Sequence, residues 1–171
     1  MGLFDRLLGR PRQETYLRPL WHRVVEVARE PEWYSRGGIA DTLPGRFDAI
    51  TLVLSLVLLR MEAREETRGE TARLTELFVS DMDGQLRQSG IGDVVMGKQM
   101  GKLMSAFGGR LDAFRAGLAA EGDTDLAGAI ERNITLIEGA DTAWIAAEMR
   151  RIAAALTTVS DADLIAGTIP R

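Results

Sequence analysis

Hydrophobic positions recur at helical spacing along almost the whole chain. Apolar residues fall three and four apart, strict alternation is scarce and β-branched residues are scattered, so the pattern predicts helices and no sheet. Leu3, Phe4, Leu7 and Leu8 make one side of a short amphipathic helix over 3–8, stopped by Gly9 and Pro11. A second helix is predicted over 14–29. Pro19 fits only its first turn, and Leu20, Val24, Val27 and Ala28 form its apolar stripe. Residues 29–46 read as a long connection rich in glycine and proline, with Trp33 and Tyr34 as its anchors.

The run "FDAITLVLSLVLLRM" (47–61) is apolar nearly all round and predicts a central helix over 46–65. It is shorter than the roughly 20 apolar residues a membrane span needs, which makes it a buried helix. Leu74, Leu77, Phe78, Met82 and Leu86 predict a helix over 70–88, ended by Ser89, Gly90 and Gly92. Asp93 then caps a helix over 94–120, whose stripe is Met100, Leu103, Phe107, Leu111, Phe114 and Leu118. Helices over 124–137 and 142–157 and a last turn near 161–166 follow, each opened by a capping Asp, Thr or Ser. The expected fold is all-α: a single compact helical domain of six to seven helices over residues 13–171, with a short amphipathic arm at 1–12.

The helix over 94–120 carries a second stripe of small residues, Gly97, Gly101, Ser105 and Gly108. A glycine inside a helix costs roughly 1 kcal/mol against alanine, so a regular row of them implies close approach of another backbone. That backbone is either a helix of the same domain, the simpler reading, or a client helix lying in an open groove.

Composition narrows the chemistry. The 171 residues hold no cysteine and one histidine, His22. This removes disulfides, thiolate metal sites and most histidine-based catalysis. His22 reads as a partly exposed helix residue. The net charge of −4 argues against a DNA-binding role, but the charge is polarised. Residues 1–23 hold five arginines against Asp5 and Glu14; residues 85–115 hold Arg87, Lys98, Lys102, Arg110 and Arg115 against Asp93 and Asp112; residues 119–148 hold seven acids against Arg132. Such polarity favours oriented docking. The start "MGLFDRLLGRPR" has no continuous apolar core and no cleavage site, and a cytoplasmic location is expected.

"DMDGQLRQSGIGD" (81–93) is the densest polar motif. An EF-hand wants glycine at position 6 and glutamate at position 12; counted from Asp81, glycine falls at position 4 and position 12 is Gly92. Asp81 and Asp83 sit on a helix about 200° apart, so they do not converge on one ion. "GIGD" is only loosely like a phosphate loop, because no strand precedes it and Asp93 repels an anion there. The motif reads as a helix stop, a turn and a new cap, with Arg87 reaching Asp83 one turn back. "DTLPGRFD" (41–48) reads as a turn into the central helix, with Asp41 or Thr42 capping and Pro44–Gly45 making the corner; Arg46 reaches back to Asp41 or to a backbone carbonyl, or stays exposed for docking. No cofactor or metal is expected. An enzyme using the 81–93 segment with a small ligand, and a structural homo-oligomer, stand as alternatives.

"VAREPEWY" (27–34), "GGIADTLPGRFDAITLVLSLVLLRM" (37–61) and "LFVSDMDGQLRQSGIGDVVMGKQMGKLMSAFGGRLDAF" (77–114), in this order, resemble the ubiquinol–cytochrome c chaperone family, the assembly factors of the cytochrome bc1 complex. Departures are Pro44 where the family favours Asp, "RQSG" (87–90) for "REMG", and "FGGR" (107–110) for "FYGR". The missing aromatic at Gly108 removes a contact there. The resemblance implies an all-helical chaperone without catalysis that binds newly made cytochrome b, near the ribosome and membrane, with a small partner protein in mitochondrial members.

Such a role needs an apolar surface for client helices and a basic surface for lipid or ribosome. The candidate client or partner residues are Arg46, Arg87, Lys98, Gly101, Lys102, Ser105, Gly108 and Arg110; the candidate membrane contacts at the inner face of the membrane are Leu3, Phe4, Arg6, Leu7 and Arg10.

Overall fold

The computed structural model describes residues 15–88 and 93–170, with side chains at 16–84 and 101–170. After a 3-10 turn at Thr15–Leu17 come α1 (Arg18–Ala28), α2 (Pro31–Ser35), α3 (Leu43–Glu62), α4 (Glu65–Arg68), α5 (Thr71–Gln88), α6 (Asp93–Ala119), α7 (Thr124–Asn133), α8 (Thr142–Thr158) and α9 (Asp161–Ile165). Six of these helices have ten residues or more, and the described chain is all-helical as the pattern predicted.

The centre is α3. Fourteen of its 20 residues are buried, as a helix without a polar face requires, and α1, α5, α6 and α8 pack around it. From α1 come Leu20, Trp21, Val24, Val27 and Ala28, all buried, with Pro19 in the first turn where its missing N–H leaves no gap. Leu74, Leu77, Phe78 and Met82 of α5 and Phe107 and Phe114 of α6 are buried too. Phe78 meets Trp21, Phe47 and Phe107 at centroid distances of 5.9, 5.8 and 5.3 Å, joining three helices to α1 by offset ring contacts.

Several boundaries differ from the pattern. The connection over 29–46 contains α2, which opens on Pro31 and places Trp33 in the core, where its indole N–H donates to Val27 O at 2.9 Å. Tyr34 likewise donates to Ala28 O at 2.9 Å, so both expected anchors hold the segment. The central helix starts at Leu43, three residues early, because Thr42 caps it by accepting from Gly45 N. It ends at Glu62, where Thr67 donates to Met61 O and turns the chain into α4.

The helix expected to run to 137 stops at Asn133. Residues 134–137 are extended: Ile39 and Leu136 form an antiparallel bridge, with Ala40 N donating to Thr135 O and Ile137 N to Gly38 O, both at 2.9 Å. Gly38 permits this at φ 79°.

Candidate functional site

An open groove runs between α5 and α6. At one end, about 380 Å³ is lined by Leu58 and Glu62 of α3, Thr71, Ala72 and Thr75 of α5, and Met104, Phe107, Gly108 and Leu111 of α6. It continues along α5 into a second space of about 440 Å³ lined by Thr75, Glu76, Val79, Ser80, Asp83 and Met104. The floor is apolar because the α5 and α6 stripes point their large residues toward α3 and leave smaller ones at the mouth. Of the small-residue stripe, Gly108 lines the groove, and Gly101 and Ser105 lie earlier on the same helix, outside its lining. Gly101, Ser105 and Gly108 are exposed, and a methyl group added at Gly101 or Gly108 would meet nothing within 4 Å.

This corrects the simpler reading of the stripe, in which a helix of the same domain lies against it. The close helix approach occurs lower on α6, at Gly117, where an added Cβ would lie 2.8 Å from Leu126 Cα of α7. Helix α7 crosses α6 there, so Gly101 and Gly108 face open space instead of a neighbour; the surroundings of Gly97 lie outside the described residues.

The expected positive face is only partly present among the described side chains. Arg110 turns inward: its guanidinium lies 2.5 Å from the Asp48 carboxylate, donates to Thr51 Oγ1 at 3.2 Å, and sits over the Phe47 ring at 5.7 Å. The other Asp48 oxygen accepts from Thr135 N at 2.7 Å and Thr135 Oγ1 at 2.6 Å. Asp48 is 2% exposed. A carboxylate so deeply buried needs a cation and hydrogen bonds to remain in place, which is the physical reason Arg110 is a tie between α6, α3 and the 134–137 segment. Lys102 is exposed on α6. The Arg87 and Lys98 side chains, and Leu3, Phe4, Arg6, Leu7 and Arg10, lie outside the described residues. The charged residues on the groove walls are Glu62, Glu76 and Asp83.

Arg46 is exposed at the start of α3, away from the groove lining, and donates from Nε to Asp41 Oδ1 at 2.7 Å. That hydrogen bond holds the Asp41 carboxyl below its ordinary value and the Arg46 guanidinium above its own. Burial, and then Asp41, push the nearby Tyr34 phenol up. His22 is exposed on α1, and Asp81 and Asp83 lie on α5 as expected.

Sequence reasoning did not find Asp48, the α5 wall of the groove, or Arg60. Arg60 lies in the apolar run yet is buried, and donates to Leu156 O at 2.9 Å, Val159 O at 2.7 Å and Asp161 Oδ1 at 2.7 Å. A charge inside an otherwise apolar helix was the available signal for both ionic residues: its burial forces a partner.

The family model described as ubiquinol–cytochrome C chaperone matches residues 35–170. Among solved structures, the crystal structure of the Cbp3 homolog from Brucella abortus is similar to this chain with a TM-score of 0.80 and 29% identity, over 98% of this chain and 95% of that one. A search of curated proteins gives no match. The family match spans most of the chain, and the superposition, which spans nearly all of it, shows the same fold. The chain belongs to the ubiquinol–cytochrome c chaperone family.

Proposed function

We propose that this protein is an assembly chaperone for the cytochrome bc1 complex that holds an apolar helix of newly made cytochrome b in the groove between α5 and α6. It works by binding, without catalysis. The supporting observation is the open α6 wall: exposed Gly108 lines an apolar floor of Leu58, Met104, Phe107 and Leu111, and Gly101 and Ser105 are exposed earlier on the same helix. Glycines with no neighbour lose about 1 kcal/mol each without return in the isolated chain. A client helix lying on them recovers packing that a bulkier wall would forbid, as small residues do wherever helix backbones approach closely. Lys102 is exposed on the same helix and in this reading meets a polar loop of the client or a headgroup.

The chain has no native cysteine, so single photocrosslinkers can be installed cleanly at Ser105→Cys and, as a control, at exposed Ala147→Cys on α8. Crosslinking in cells that make cytochrome b should capture it from position 105 and not from 147. Equal capture from both sites rejects the groove. Capture of many membrane proteins without cytochrome b converts the reading to a general insertion factor.

A further inference from the structure

We propose that α6 is jointed at Gly108–Gly109: the part over residues 101–106 swings as a straight arm and sets how wide the α5–α6 groove opens, while the part from Arg110 onward stays fixed to the core. This rests on the groove reading above and adds its regulation. Three observations carry it.

The first is the joint itself. Gly108 and Gly109 lie side by side in the interior of a 27-residue helix. Both are exposed, and a Cβ at either would meet nothing within 4 Å. Close packing explains Gly117, which lies against Leu126, but it does not explain this pair. A glycine reaches more backbone conformations than an alanine, at a cost to the helix of roughly 1 kcal/mol. Two in succession concentrate that freedom at one point, and long helices kink at such points.

The second is how the two sides of the joint are held. Phe107 and Arg110 bracket it. Phe107 is buried against Phe78, with ring centroids 5.3 Å apart, and Arg110 is paired with Asp48 at 2.5 Å. Beyond Arg110 the ties continue. Arg115 pairs with Glu62 at 2.8 Å, Phe114 is buried, and Arg150 of α8 donates to Gly117 O at 2.9 Å and to Leu118 O at 3.0 Å. On the other side, the side chains over 101–106 make no ion pair or hydrogen bond among the described residues. Gly101, Lys102, Ser105 and Ala106 are exposed, and only Leu103 and Met104 are half-buried. The pivot is pinned, one arm is clamped and the other is loosely held.

The third is what the loose arm carries. Met104 borders both spaces of the groove, and no other α6 side chain among the described residues does so. Along the helix, Met104 lies about 6 Å and Gly101 about 10 Å from Gly108. A bend of roughly 20° moves them by about 2 and 4 Å. That swing withdraws Met104 from between the two spaces, of about 380 and 440 Å³, and joins them into one trough. A helix with its side chains is about 10 Å across, so a continuous trough is what it needs.

The test uses the full chain, which has no native cysteine. Spin labels go on Lys102→Cys or Ala116→Cys, each paired with Ala147→Cys on α8, and electron–electron distances are measured. The joint predicts a broad or two-peaked distance from position 102 and a narrow one from 116. An apolar helical peptide of about 20 residues shifts the first by several ångströms and leaves the second in place. Gly109 is outside the groove lining, so Gly109→Ala adds no bulk there. It should narrow the distance from 102 and weaken peptide binding about fivefold, because alanine holds the helix straight.

Equally narrow distances from both positions, unmoved by a peptide that binds, overturn the joint and leave the groove standing. So does a Gly109→Ala chain that binds the peptide as tightly as its parent. A broad distance from 102 with fast amide exchange over 101–107 marks an unwound helix and also overturns the joint. A two-peaked distance that Gly109→Ala collapses, with no peptide binding by either chain, rejects the client groove and leaves the joint standing.

Discussion

Two regions on either side of α3 handle small residues and charge in opposite ways. Where the start of α3 meets the 37–41 and 134–137 segments, everything is filled. Asp48 has three hydrogen-bonding partners, and an added Cβ on Gly45 would lie 1.9 Å from Ala40 O. Where the end of α3 meets α5 and α6, glycines face open space and carboxylates line a trough. The same residue type, glycine, is packed against backbone in one place and open in the other. What separates them is whether another backbone is present, since a glycine's missing side chain is useful only when something occupies its place. The first region is packed and stabilises the fold; the second stays open at a cost in stability, as the proposed binding role requires.

Asp48→Ala should have the largest effect. It leaves the largely buried Arg110 guanidinium and Thr135 N–H without their acceptor, and the loss of one partner of a buried pair costs about 3–5 kcal/mol. Chemical denaturation reads it, and an effect under 1 kcal/mol would mean the pair is open to water. Gly45→Ala comes next. The methyl group meets backbone, which has little room to move, and the expected loss is about 1–3 kcal/mol.

Gly108→Ala inverts the sign. With no neighbour within 4 Å, alanine should stabilise α6 by roughly 0.5–1 kcal/mol. Gly108→Leu should fold equally well and weaken binding of an apolar helical peptide several-fold, which calorimetry or fluorescence titration measures. A destabilised Gly108→Ala chain would show that the wall is packed after all.

The smallest effect is at the exposed Arg46–Asp41 pair. The folded Asp41 carboxyl is held below its ordinary value by Arg46, so its contribution is complete above the ordinary carboxylate range near 4 and fades as pH falls through the lowered value. In Arg46→Ala the Asp41 titration, followed by carbon NMR, should move up toward that range, with little change in melting temperature.

Much of the scaffold was legible in one dimension. Periods of three and four fix the long helices, and the unbroken apolar run of 47–61 makes α3 central because no face of it tolerates water. Thr42 and the Trp33 and Tyr34 anchors follow from local hydrogen-bonding needs. Legibility ended where a segment takes its conformation from a distant one. Residues 134–137 are extended because Gly38 and Ala40 offer them partners, against a local pattern that continues the helix. Short α2 was hidden among glycine and proline because its two adjacent anchors, Trp33 and Tyr34, leave no periodicity.

The candidate site divides the same way. The motifs of 27–61 and 77–114 name the family, and the spacing of Gly101, Ser105 and Gly108 places them on one face of one helix. Periodicity is a property of a single element, so it cannot tell whether that face meets a neighbour or open space. Nor can it tell that Arg110 belongs to Asp48 while Lys102 remains exposed. Those assignments depend on where α7 crosses α6 and on how α3 and α5 approach it, which the assembled helices decide through packing and the need to neutralise a buried charge.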